Sequence, residues 1–168
     1  MNYLVGISCM LFSFFGNVNA PSDANTFEAL KTLEGEWVGI LNKTNGSSVK
    51  FTLKYSVRAA GSALLEESDE DGMEMLTIFN LQNNRLHSTH YCGLQNKPVG
   101  TLQSNKAGVI SIQTDVNTSG LTAGKDTYVD SWELNLLPND KDTFEYKYIV
   151  KGPEGLQIIA TATMKRAK

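Results

Sequence analysis

Phe51-Thr52-Leu53-Lys54-Tyr55-Ser56-Val57-Arg58 alternates apolar and polar side chains without a break. Successive side chains of a β-strand point to opposite faces. Phe51, Leu53, Tyr55 and Val57 therefore share one face, and Thr52, Lys54, Ser56 and Arg58 the other. A helix of period 3.6 would scatter both sets around its axis. The stretch predicts a half-buried strand, and the rest of the chain repeats its rhythm.

Outward from it, strands are expected over Glu36–Leu41, Val49–Val57, Ala63–Glu67, Met73–Leu81, Arg85–Cys92, Gly100–Ser104, Val109–Val116, Thr127–Leu136, Thr143–Val150 and Leu156–Met164. In the last, Leu156, Ile158, Ala160, Ala162 and Met164 share a face, whereas the faces of Val109–Val116 are mixed. Turn residues separate the runs: Asn45-Gly46, Asp71-Gly72, Asn83-Asn84, Ala107-Gly108, Pro138-Asn139-Asp140 and Gly152-Pro153-Glu154-Gly155. Asp71-Gly72 is a strong hairpin signal, because a type I′ turn needs positive φ at both central residues. Connections this short leave no room for crossover helices, so the sheet is antiparallel. Ten strands recurring every 10–12 residues or so suit a meander closed into a barrel. Closure removes exposed edges, and a barrel of this size is either filled by side chains or holds one small ligand.

One helix precedes the strands. Phe27, Leu30 and Leu33 make a narrow apolar stripe over Asp23–Leu33, with Asp23 or Asn25 as N-cap and Gly35 as terminator. The expected fold is thus all-β: an antiparallel barrel of eight to ten strands with one short N-terminal helix.

The chain has 168 residues, 41% hydrophobic and 20% charged, with a net charge of −3. That is one globular domain and not a disordered chain. No basic stripe marks a nucleic-acid partner; Lys165, Arg166 and Lys168 form a solvated tail. Residues 1–20 read as a secretory signal peptide. Leu4 to Phe15 is an apolar run, and Val18-Asn19-Ala20 offers small residues at a cleavage site. The run is too short for a membrane anchor, which needs about 20 residues. The expected product is exported, periplasmic or secreted, with a mature domain over 21–168. It keeps one cysteine, Cys92, and so has no intrachain disulfide. Sequons at Asn42, Asn45 and Asn117 read first as turn chemistry.

Polar and reactive groups crowd into Thr89-His90-Tyr91-Cys92-Gly93-Leu94-Gln95-Asn96-Lys97-Pro98. His87 and His90 are the only histidines and point to opposite faces of a strand, so they do not form a metal pair. His90 and Cys92 share a face with Leu86 and Ser88. Three readings follow: an inert buried pair, a thiolate nucleophile with imidazole as base, or part of the wall of a ligand cavity. The acidic run Glu66–Asp71 has calcium-loop composition but not its spacing, and reads as a solvated hairpin tip. No P-loop, GxGxxG, GxSxG or HExxH occurs, so the common nucleotide and hydrolase chemistries have no foothold.

Leu33-Glu34-Gly35-Glu36-Trp37-Val38-Gly39 resembles the Gly-x-Trp element that opens lipocalins and other calycin barrels. Leu76-Thr77-Ile78-Phe79, Arg85-Leu86, Thr89-His90-Tyr91-Cys92 and Asn96-Lys97-Pro98 are similar to a family of small exported bacterial proteins with a lipocalin-like barrel and no assigned function. The resemblance implies Trp37 at the base of the barrel, and a pocket. It also implies a further histidine downstream, and Lys125–Trp132 has none, which puts any activity needing a second imidazole in doubt. Haem ligation of the kind known in related barrels would fall to His90 or Tyr128. The leading expectation is a non-catalytic carrier or sensor of a small, mostly apolar molecule, with no metal or cofactor. Its contacts are expected at Trp37, His90, Cys92, Asn96, Tyr128 and Trp132. The rival readings are an enzyme using Cys92 with His90, and a filled barrel that binds another protein.

Overall fold

The computed structural model describes residues 22–168. The signal-peptide expectation, residues 1–20, lies outside them. All ten expected strands form: β1 (Gly35–Lys43), β2 (Ser48–Arg58), β3 (Ala63–Glu70), β4 (Met73–Gln82), β5 (Arg85–Tyr91), β6 (Val99–Lys106), β7 (Val109–Thr114), β8 (Tyr128–Leu136), β9 (Thr143–Lys151) and β10 (Gln157–Arg166). Each pairs antiparallel with its neighbour in sequence, and β10 returns to β1, closing a ten-stranded, lipocalin-like barrel.

Turn chemistry sets the connections. Asp71 and Gly72 have φ of 54° and 96°, and Asn83, Asn84, Ala107 and Gly108 are also left-handed. These are the positive dihedrals of tight hairpins, whose twist matches that of the flanking strands. β1 and β10 approach closely at Gly39, where a Cβ would lie 2.8 Å from the Thr163 carbonyl oxygen.

Helix α1 spans Asp23–Lys31. Its N-cap is Ser22, whose Oγ accepts from the Asn25 N–H, rather than the expected Asp23 or Asn25. Asp23 instead ties the helix to the barrel, accepting from the Leu86 N–H at 2.8 Å. Asn105 donates to Thr26 Oγ1 at 3.1 Å. Buried Phe27 and Leu30 plug this end of the barrel. Trp37 seals beside them, donating to the Leu33 carbonyl at 2.7 Å, edge-on to Phe144 and covered by the Arg166 guanidinium.

Every strand differs from expectation by one to three residues at one end or both. β7 stops at Thr114, because Asp115 accepts from the Asn117 and Thr118 N–H groups and caps a one-turn helix, α2 (Val116–Ser119). β7 also alternates cleanly, with Ile110, Ile112 and Thr114 inward. In β8 the register shifts between Val129 and Ser131. Among the described residues no helix is long and apolar enough to cross a membrane.

The core is unevenly distributed. Leu33, Trp37, Leu53, Leu64, Phe79, Leu86, Ile110, Leu134, Phe144 and Met164 pack the half of the barrel next to α1. The opposite half, under the β1–β2, β3–β4 and β5–β6 connections, holds polar side chains and a cavity.

Candidate functional site

The centre of the site is on β3. Leu64, Glu66, Ser68 and Glu70 occupy alternate positions, and the first three are buried. The acidic run is therefore not a solvated tip as a whole. Only Asp71-Gly72 forms the turn, while Glu66 and Glu70 point inward and Glu67 pairs with Lys54 outside.

Glu66 is 1% exposed and has no cationic partner among the described residues. Three hydroxyls replace one. Tyr55 donates to Oε2 at 2.5 Å, while Thr77 and Tyr146 donate to Oε1 at 3.1 and 3.2 Å. Burial pushes this carboxyl above its ordinary value, and the three donors pull it back. Burial, reinforced by the Glu66 charge, pushes the Tyr55 and Tyr146 phenols far up, so both stay protonated donors.

His90 continues the chain. It is paired across the ladder with Thr77, and its Nδ1 lies 2.9 Å from Thr77 Oγ1. Its ring stands edge-on to Trp132, with centroids 5.5 Å apart. Burial alone lowers its pKa to about 4, so it is neutral near pH 7. Its Nε2 has no partner among the described residues, and the ring lines the cavity.

The cavity has a volume of about 290 Å³. That is at the low end of small-molecule pockets, about 300–1,000 Å³. Phe51, Met75, Val129, Trp132, Val150 and Ile158 supply apolar walls, and Ser68, His90 and Tyr146 form a polar floor. At the mouth Lys43 pairs with Glu70 at 2.5 Å, and Tyr148 donates to Glu70 at 2.7 Å. Met73 and Leu94, 51% and 46% exposed, stand beside that opening. A larger groove of about 630 Å³ crosses the outer faces of β1 to β5 past Lys54 and Glu67, but it is open to solvent.

The structure divides the six residues expected at the site. His90, Cys92 and Trp132 line the cavity. Trp37 does not: it belongs to the sealed end beside α1. Asn96 lies behind the wall, donating to the Thr127 carbonyl at 2.7 Å and bracing the β5–β6 loop against the approach to β8. Tyr128 is buried between Thr127 and Val129, both of which line the cavity, but it is not itself in the lining. The bulge at Asp130 explains how Val129 and Trp132, three apart, both face in.

Cys92 is half-buried, and burial pushes its thiol up. The Leu94 N–H opposes that shift, and the Glu70 charge adds to it. A thiolate–imidazole pair needs a lowered thiol beside a base able to take its proton. Here the thiol is raised and the imidazole is lowered, and no hydrogen bond joins them among the described residues. No group of three or more His, Cys, Asp or Glu among the described residues is placed to hold a metal ion.

Sequence reading missed Glu66, Thr77, Tyr146, Glu70 and Tyr148. The available signal was spacing. Glu66 and Glu70 continue the alternation of Leu64, and Tyr146 and Tyr148 continue that of Phe144.

No protein-family model matches the chain, and no curated protein is similar to it. Solved structures do superpose. A protein of unknown function from the DUF3598 family of Nostoc punctiforme matches with a TM-score of 0.57 at 11% identity, over 82% of this chain. This chain spans about half (48%) of the Nostoc protein. Rv2717c from M. tuberculosis matches with a TM-score of 0.53 at 14% identity, over 84% of this chain and 97% of that one. The S-type phycobiliprotein lyase of Guillardia theta superposes with a TM-score of 0.48 at 11% identity, over 88% and 94%. At such identities the likeness to the first two shows the closed barrel fold and nothing of its use.

Proposed function

We propose that this protein is an exported, non-catalytic carrier or sensor that takes one small, mostly apolar molecule into the open half of its barrel. Export rests on the apolar run Leu4–Phe15 with Val18-Asn19-Ala20 after it. Binding rests on one observation above all. The barrel is packed solid beside α1 and hollow at the other end, where aromatic and aliphatic walls surround a few converging polar groups. Such a mixture favours an apolar body and orients one polar end. The opposed shifts of Cys92 and His90 count against the enzyme reading, and the cavity counts against the filled barrel.

The test is a melting-temperature screen against small apolar compounds that each carry one polar group, with Trp132 fluorescence as a second readout. At a hundredfold excess over Kd, binding adds about 2.7 kcal/mol. For a chain of this size that raises the melting temperature by about 5–10 °C. Quenching should be lost in Trp132→Phe, since Trp37 lies at the sealed end. If no compound changes either signal, the carrier reading falls.

A further inference from the structure

We propose that the ligand of this cavity is a neutral hydrogen-bond donor, an alcohol or phenol, received by Nε2 of His90, and that Thr77 and Glu66 hold the imidazole in the tautomer that receives it. The inference rests on the carrier reading and specifies the ligand's chemistry.

The argument is a count of hydrogens. Glu66 is approached by three hydroxyls on its two oxygens. The Tyr55 contact, at 2.5 Å, has the length of a charge-assisted O–H···O⁻ bond. Burial raises this carboxyl and the three converging hydroxyls stabilise its charged form; as the carboxylate it only accepts, so each hydroxyl spends its hydrogen there. Thr77 has one hydrogen. With it committed to Glu66, Thr77 Oγ1 can meet His90 Nδ1 at 2.9 Å only by accepting. Nδ1 must then carry the ring proton. A neutral imidazole with Nδ1–H has a bare lone pair on Nε2. The opposite assignment would set a Thr77 lone pair against Glu66 Oε1 at 3.1 Å, a repulsive contact in a site without water's screening.

Nε2 is thus an acceptor without a protein partner, on a side chain 4% exposed, facing the cavity. The atom is accessible from the cavity, so a ligand O–H can donate to it there in place of water. An anionic headgroup finds the reverse. It brings no donor to Nε2, Glu66 lies under the floor, and Lys43 is already paired with Glu70 at the mouth. Fatty carboxylates are therefore disfavoured. Thr77 is a positioning residue here, since it acts through His90.

Three probes of like size separate the possibilities at pH 7: 4-propylphenol, 1-fluoro-4-propylbenzene and 4-propylbenzoate. The phenol should bind about three- to tenfold tighter than the fluoro compound, the net worth of one hydrogen bond. The benzoate should be weaker still. Nitrogen NMR of the unliganded protein, with His87→Gln to assign the two rings, should show His90 protonated on Nδ1 and bare on Nε2. Thr77→Val should abolish both the tautomer bias and the phenol preference, and Thr77→Ser should restore them. A ring protonated on Nε2, or a fluoro compound that binds as well as the phenol, overturns this inference and leaves the carrier standing. So does a Thr77→Val variant with tautomer and preference unchanged. If no probe binds although the tautomer is as stated, the carrier reading falls and the ligand class falls with it.

Discussion

His90 is neutral because it is buried, and that makes the stability of the fold depend on pH. Its pKa falls from the ordinary 6.5 to about 4. Above pH 6.5 neither folded nor unfolded chain protonates it, and the fold bears no penalty from this group. Between 6.5 and 4 the unfolded chain takes up a proton that the folded one refuses, so stability is lost as pH falls. The full loss is about 3 kcal/mol. Glu66 works the other way, because burial raises its carboxyl and acidification therefore favours the folded form. The two are separated by comparing wild type with His90→Gln in denaturant titrations at pH 7 and pH 4. The advantage of wild type over the variant should shrink by up to about 3 kcal/mol at the lower pH. A difference that does not change with pH would mean that the ring is hydrated in the folded protein.

Elements are held here by their turns more than by their propensities. The β6–β7 hairpin shows this, because Ala107 occupies the first left-handed position of its turn with φ 52°, and Gly108 follows at 87°. An L-residue with a Cβ pays about 1–2 kcal/mol for that conformation, and asparagine tolerates it better. Ala107→Asn should raise stability by about 0.5–1 kcal/mol, seen as a melting temperature about 1–4 °C higher. Gly108→Ala should lower it, since a Cβ there would lie 2.6 Å from the Leu136 carbonyl oxygen. If Ala107→Asn leaves the melting temperature unchanged, the hairpin is held by its strand pairing and not by its turn.

Across the whole molecule, the packed core and the cavity are separated along the barrel axis. The half against α1 carries the packed core, and the half under the β3–β4 turn carries the cavity. The hollow half can therefore change with little cost to the fold. Val150→Phe adds volume to a cavity of about 290 Å³. It should abolish binding of the compounds found in the screen while leaving the melting temperature of the free protein within a few degrees of wild type. Retained binding would move the ligand out of the barrel, with the outer groove across β1 to β5 as the next place to look. Leu30→Ala strikes the other half. It should cost about 2–5 kcal/mol, measured in denaturant, because a fully buried side chain of the plugging helix is removed.

The amino-acid sequence by itself determined the ten strands, their antiparallel order and the helix before them. The sharing of one face by His90 and Cys92 was likewise legible, because alternation and turn chemistry are local properties carried by neighbouring residues; that the face looks inward was not. Register over a bulge is not local. Tyr128 and Trp132 lie four apart and were expected together, yet the extra residue at Asp130 turns only Trp132 into the cavity. Burial of charge is not local either. Glu66 reads as a hydrated carboxylate in its own stretch of sequence, since an unpaired carboxylate is costly to bury. Hairpin pairing sets Tyr55 and Thr77, each 11 residues away, directly opposite it, and only barrel closure brings Tyr146, 80 residues away. Those three hydroxyls offset the lost hydration, and Tyr146, with Ser68 and His90, forms the floor of a cavity whose existence no stretch of the chain declares.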